Sequence, residues 1–370
     1  MADTPKNNKK EQDAIETQPD TVESQLSTEK AGKSQQPEHK SEGEEGLIQD
    51  ISEHSDEHGE LSRAREVFDR AQSGAPAAGK AVRDFFSTDE IFQRLLANAD
   101  EEIDRSTRLL FFSGLAAGLS IGLSLLARAA VTSLVPDPDM SLAGNLLYPI
   151  GFLLIVMGRY QLFTENTLTP VTLVLTRLVS IPALLRVWGI VLLANVLGAA
   201  LIAFALANTG ILSPEAAQVA QSIGQHALEM DVSALFFKGI IAGWLVASMV
   251  WLIHAARDSI TRFVTVFFIM YLIPTADLFH CIVGACEALY MVFIGQTDLG
   301  TATFGFFLPV LIGNTVGGVL LVGLLNYSQT RASDVKEEGS PRRLSWRAWI
   351  TEYHTIDLQE TPTASAPRHP

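Results

Sequence analysis

The chain has 370 residues, a formal net charge of −14 and 48% hydrophobic residues, with a mean hydropathy of +0.22. Its charge is concentrated at the front, where residues 1–60 carry 16 Asp/Glu, 6 Lys/Arg and no aromatic side chain. The acidic balance argues against a nucleic-acid binder, and the apolar remainder is too continuous for an ordinary soluble enzyme.

Residues 1–80 are rich in Lys, Glu, Gln, Ser and Pro. Such a stretch buries too little apolar surface to offset the chain entropy of folding, and it reads as a disordered acidic extension. Met1 to Lys10 is polar, which does not fit a cleaved signal peptide. Within the extension, 61–70 has the pattern of one or two weak helical turns. A firmer element follows at 85–106. Ser87 with Glu90 three residues on forms a capping box, and Ile91, Leu95, Leu96, Ala99 and Ile103 share a helical face. Glu101, Glu102 and Arg105 fall off that face or at its edge. The pattern predicts an amphipathic helix at the cytoplasmic membrane surface.

Six apolar segments of membrane-spanning character come next, within a transmembrane domain at 107–328. They run over 109–127, 142–175, 187–207, 234–253, 263–294 and 304–325. The second is apolar to Met157, breaks across 158–167 and resumes at Leu168; the fifth is interrupted at Pro274-Thr275-Ala276-Asp277 and resumes at Leu278. Polar backbone at that depth is tolerated only where it is buried in protein or lines a cavity. Arg177, Arg186, Arg257, Arg262 and the basic residues of a tail at 329–370 mark the cytoplasmic loops. Both termini are therefore expected inside, which requires an even number of crossings. Cys281 and Cys286 share one segment and form neither a disulfide framework nor a metal site.

The two halves also resemble each other. Ser113-Gly114-Leu115-Ala116-Ala117-Gly118 matches Lys238-Gly239-Ile240-Ile241-Ala242-Gly243. Leu162-Phe163-Thr164 matches Leu278-Phe279-His280, and Asn195-Val196-Leu197-Gly198-Ala199 matches Asn314-Thr315-Val316-Gly317-Gly318. The matches are co-linear, at offsets of 125, 116 and 119 residues. Three crossings per repeat invert the second copy, the plan in which broken helices meet near the midplane around a permeation site.

At these residues the chain resembles the formate/nitrite transporters. Gly158 through Thr167, with Leu162-Phe163-Thr164 and Asn166, is similar to that family's broken second helix. Leu278-Phe279-His280 matches its central-histidine region, and Ile312-Gly313-Asn314-Thr315-Val316-Gly317-Gly318 its sixth-helix run. The resemblance covers roughly 85–330. It implies an all-α, aquaporin-like protomer with its own pore, assembled as a homopentamer in the inner membrane, that passes small monovalent anions such as formate or nitrite. The chain departs from the family locally. The family usually reads Gly-Phe-Glu-His, whereas this chain has Asp277-Leu278-Phe279-His280. The family's fourth-helix asparagine falls on Gly243, an asparagine after the histidine on Gly284, and a vestibule lysine near Ala227.

His280 is the first candidate for substrate contact, because an ionisable side chain at bilayer depth is costly unless it functions. Imidazole changes charge near physiological pH, and Thr164 offers a hydroxyl that donates or accepts. Asn195, with Gly118 and Gly243, fits a structural role at close helix contacts. Asn314 suits either structure or a contact with the His280 region. Leu162, Phe163 and Phe279 are candidates for an apolar constriction, or for packing. Asp277 and Glu287 either face a vestibule, pair with Lys238 or hold a proton; Lys238 either attracts anions or snorkels. A membrane enzyme is the competing class, but H-E-x-x-H and G-x-S-x-G are absent. A neutral-solute channel of aquaporin plan is the other alternative, without the paired Asn-Pro-Ala signatures. Neither cofactor nor metal is called for, and the expected partners are a small anion, lipid and further copies of the chain, with no nucleic acid.

Overall fold

The computed structural model describes residues 86–135, 142–330 and 343–355. The acidic extension, its turns at 61–70 and most of the tail lie outside the described residues. Helix α1, Thr88–Asp104, opens as the capping box requires: Ser87 Oγ accepts from Glu90 N at 3.3 Å and Glu90 Oε2 from Ser87 N at 2.6 Å. Ile91, Leu95, Leu96, Ala99 and Ile103 are buried against a later short helix, α4.

Eight longer or broken elements then build the apolar body. They are α2 Thr107–Thr132, α3 Ile150–Gly158, α4 Thr169–Leu175, α5 Ile181–Asn208, α6 Pro214–Leu228, α7 Val232–Ala255, α8 Ser259–Thr275 and α9 Cys281–Phe293. A 28-residue helix, α10 Thr301–Ser328, follows, with widened π turns at Thr301–Phe307 and Gly317–Leu324. Four helices, α2, α5, α7 and α10, are long and apolar enough to cross a membrane; α8 and α9 are shorter apolar pieces. The uninterrupted helices overrun their apolar runs; α2 starts at Thr107 behind the Ser106 cap, and α5 carries Pro182 in its first turn. Helix α6 is an element that hydropathy does not signal. Ser213 Oγ accepts from Ala216 N at 3.2 Å, and Pro214 occupies the first turn.

Packing is organised in two like pairs, α2 on α5 and α7 on α10. Small residues let the backbones meet. A Cβ at Gly118 would collide with the Asn195 carbonyl oxygen, and one at Gly243 with that of Asn314. Part of the tail is also docked. Leu344 N donates to Arg177 O at 2.8 Å, and in α11, Trp346–Thr351, Trp349 Nε1 donates to Val174 O at 2.9 Å.

Glu102 differs from its expected edge position. It stands three residues past Ala99 and beside Ile103, so the turn carries it onto the buried face. There it accepts hydrogen bonds from Thr169 Oγ1 at 2.6 Å and Asn98 Nδ2 at 2.8 Å. Burial pushes its carboxyl above the ordinary carboxylate range, against the lowering effect of those donors.

Two outcomes follow. Gly243→Val should cost about 1–3 kcal/mol or more by forcing α7 from α10, seen as a lower unfolding midpoint in detergent; an unchanged midpoint would contradict the close contact. Because the raised Glu102 value favours the protonated folded form, its contribution is complete below about pH 4.3 and declines as pH rises from there. Glu102→Gln should therefore gain stability relative to the parent as pH increases toward neutrality. A pH-independent difference in midpoint would count against this.

Candidate functional site: the paired helix breaks

Both interruptions are built by local chain chemistry. Helix α3 ends on Arg159, which takes the left-handed conformation at φ 55°, and the backbone then runs without regular helix until the turn Glu165–Thr167. Helix α8 ends around Pro274, whose missing N–H cannot extend the ladder. Asp277 turns left-handed at φ 52°, and α9 begins at Cys281, three residues later than the resumption expected at Leu278. His280 is consequently the extended N-cap of α9 rather than a residue inside a helix, with its ring accepting from Val283 N at 3.4 Å.

Two buried asparagines hold the irregular backbone. Asn195 Oδ1 accepts from Phe163 N at 2.8 Å, and its Nδ2 donates to Gly114 O at 2.8 Å and Gln161 O at 2.9 Å. Asn314 Oδ1 accepts from Cys281 N at 2.8 Å, and its Nδ2 donates to Gly239 O at 2.8 Å and Phe279 O at 3.0 Å. The same three bonds occur at each break. They set Gln161 opposite Phe279 and Phe163 opposite Cys281, at an offset of 118 residues in both cases. Leu162 thus stands where His280 does in the other half, two positions away from the pairing that the Leu-Phe-Thr and Leu-Phe-His identities suggested.

Thr164 nevertheless meets His280 directly, Oγ1 to Nε2 at 2.7 Å. Val283 N can only donate, so Nδ1 is the acceptor in the neutral ring and Nε2–H donates to the Thr164 hydroxyl. That leaves the hydroxyl proton available to a third group. Phe152 stands edge-on to the imidazole with centroids 4.9 Å apart. Phe279 packs edge-on against Phe306 at 5.6 Å and Phe163 against Trp188 at 5.5 Å; Leu162 is fully buried.

A cavity of about 600 Å³ reaches His280, walled by Arg128, His226, Asp277, Phe279, His280 and Glu287 among others. Asp277 pairs with Lys238 and, at 2.9 Å, with His226 Nε2. Lys238 is therefore turned toward the helix break, 5.8 Å from the Phe279 ring centroid, and does not snorkel away from it. Glu287 is buried and faces Arg128 at 3.8 Å, whose Nε donates to Asn145 Oδ1 at 2.9 Å. Arg128, Tyr148, Phe152 and His226 were not anticipated as parts of the site. Their signals were the arginine at the end of the first apolar run and the Ser213-Pro214 helix start that carries His226. Among the described residues no cluster of His, Cys, Asp or Glu could hold a metal ion.

Residues 89–328 match the formate/nitrite transporter family. The chain belongs to that family. Over 244 residues it is 36% identical to the inner membrane protein YfdC of Escherichia coli (strain K12), covering 65% of this chain and 78% of that one. A solved FNT family ion channel superposes with a TM-score of 0.60 at 21% identity, covering 65% of this chain and 99% of the other. A pentameric formate channel with formate bound gives 0.52 at 22% identity, covering 60% and 97%. Both share its fold. As a formate/nitrite transporter family member the chain is a multi-pass membrane protein, and further relatives it matches are named as a transporter and a formate channel.

The asparagine pattern makes a sharp expectation. Asn314→Ala strands buried donors and acceptors that the chain cannot rehydrate, costing about 1–3 kcal/mol for each group left unpaired. Asn314→Asp keeps the acceptor and loses the two donated bonds. Thermal unfolding in detergent should rank the parent first and both variants well below it; parity of either variant with the parent would show that the bonds do not hold the break.

Proposed function

We propose that the chain passes small monovalent anions of weak acids, of the formate or nitrite kind, through a pore within each protomer. The single observation that carries this reading is the Thr164–His280 hydrogen bond, made where the two helix breaks meet at the end of the cavity. An anion entering an apolar path loses hydration. The free Thr164 hydroxyl proton and the His280 ring supply hydrogen-bond donors where that loss is greatest. Leu162, Phe163 and Phe279 form the apolar flanks of the passage, and hydrated ions are obstructed there.

The reading includes six crossings in an inverted 3+3 arrangement, which the matched asparagine triads and the like pairs α2–α5 and α7–α10 support. Loop arginines orient both termini to the cytoplasm, which places the Arg128 cavity on the outer side. In this arrangement 1–80 is an acidic extension, α1 lies at the inner surface, 107–328 is the transport domain and 329–370 is a cytoplasmic tail. A homopentamer is favoured by the pentameric formate channel that shares the fold.

The test is anion-driven proton flux in proteoliposomes. His280→Asn keeps a polar, hydrogen-bonding side chain without an ionisable ring. It should assemble and admit anion while weakening the dependence of flux on pH by about tenfold or more, and Thr164→Val should lower flux more gently. Unchanged flux and unchanged pH dependence in His280→Asn would return His280 to a purely structural role.

A further inference from the structure

The tail carries a surface that the passage of an anion does not call for. Residues 343–355 return to the membrane domain and are fastened to the loop between α4 and α5. Leu344 N donates to Arg177 O at 2.8 Å and Trp349 Nε1 to Val174 O at 2.9 Å. His354 N donates to Ser180 Oγ at 3.0 Å, and the Arg186 guanidinium to the Tyr353 hydroxyl at 3.4 Å. Ser180 is the N-cap of α5, a helix long and apolar enough to cross a membrane. The fastening therefore holds α11 at the level where α5 enters the bilayer.

Docking turns the Trp349 indole N–H toward the protein and leaves an adjacent face of α11 uncovered. Trp346 and Ile350 stand one helical turn apart, and Tyr353 follows just past the end of the helix. The three are 64%, 53% and 54% exposed. The Trp346 ring lies 4.6 Å from the Arg177 guanidinium carbon and edge-on to Trp349. Arg347 is exposed beside it. Glu352, the acid of this stretch, is paired with His354 at 3.1 Å. An aromatic face is thus bordered by arginines. Trp and Tyr rings with arginine settle at a membrane–water boundary, rings toward the acyl chains and charge toward the headgroups.

We infer that α11, with Arg177, is a docking surface for anionic phospholipid of the inner leaflet. The choice of leaflet rests on the cytoplasmic tail of the reading above; the lipid contact does not. Trp346, Ile350 and the Tyr353 ring sit at the boundary of headgroup and acyl chain, while Arg177 and Arg347 meet phosphate oxygens. Apolar surface at this level is covered either by bilayer or by another protein. The arginines decide for lipid. A second copy of the chain would bring its own Arg177, Arg186, Arg257 and Arg262 on the same side, like charges that repel. A layer of anionic headgroups brings the opposite charge. Lipid bound there presses the tail against α4 and α5, and with it the loop that joins the broken second segment to the third.

The experiment uses the full chain in mixed bilayers of phosphatidylcholine and phosphatidylglycerol. A bimane fluorophore is attached at Ile350→Cys, the native Cys281 and Cys286 being buried. Bromine near the top of the acyl chains is carried by one lipid or the other. Brominated phosphatidylglycerol should quench about three- to fivefold more per mole than brominated phosphatidylcholine, the effect of one arginine near the surface. Arg347→Gln should bring the two lipids toward equality, and Arg347→Lys should keep the preference. The fluorophore at Thr351→Cys, on the watery side of α11, should be quenched little by either. No quenching at Ile350→Cys by either lipid, the result if another protomer covers the face, overturns the inference. Equal quenching by both lipids overturns it too, as does a preference that Arg347→Gln leaves unchanged. Sidedness is read separately, by an impermeant maleimide on intact cells. Thr351→Cys should react only once the membrane is opened; reaction in intact cells overturns the cytoplasmic tail and the inner-leaflet assignment together, whatever the quenching shows.

Discussion

A bilayer offers no water to a backbone that leaves its helix, so every freed N–H and C=O must find a partner inside the protein. This chain breaks two helices within its apolar body, and at each break one carboxamide takes three backbone groups. Asn195 and Asn314 each accept one backbone N–H and donate to two backbone carbonyls, one on the break and one on a neighbouring helix. No other uncharged side chain can accept and donate in that number from one planar group, save glutamine with its longer, less ordered stem. The glycines follow from the same constraint. Gly114 and Gly239 expose the carbonyls that the amides reach, and Gly118 and Gly243 let the helices close on the asparagine backbones. The placement of Thr164 and His280 depends on this scaffold, since both belong to the strands of irregular chain that the amides suspend.

Much of this was legible because membrane sequences are written in long apolar runs. The uninterrupted helices stand out by hydropathy alone, and α1 by its capping box and face of Ile91, Leu95 and Leu96. What failed was register inside the breaks. Identity favoured pairing Thr164 with His280, since Leu-Phe precedes both, yet the bonding pattern sets Leu162 opposite His280. Side-chain identity is a poor guide where backbone bonds decide alignment. The helical reading of 278–280 failed for a similar reason. Apolar composition continues through Leu278 and Phe279, while Pro274 and the left-handed Asp277 end the helix and postpone its successor to Cys281. Helix α6 was missed because its amphipathic, alanine-rich run carries too little hydropathy to register beside true spans.

The charges were the least legible part. Asp277, Lys238, His226, Arg128 and Glu287 come from five separate elements, and their pairing depends on how those elements pack. From sequence, Asp277 and Glu287 were acids in an apolar segment that could face a vestibule, pair with Lys238 or hold a proton, with nothing to choose among these. In the fold each faces a cation, Asp277 meeting Lys238 and His226, and Glu287 meeting Arg128. Partnering of this kind offsets the cost of placing carboxylates beside the cavity.

The departure from the family's usual Glu-His pair has a physical consequence that this arrangement makes plain. A carboxylate beside the histidine would act directly on the imidazole. Here residue 279 is Phe279, committed to the ring contact with Phe306, and the nearest acid in sequence, Asp277, is turned toward the cavity and paired with Lys238 and His226. Among the described residues, the His280 ring meets the Thr164 hydroxyl as its side-chain hydrogen-bond partner, with the edge-on Phe152 ring beside it. Charge has been moved outward, from the narrowing to the mouth, while the backbone that frames the narrowing is kept by the asparagines.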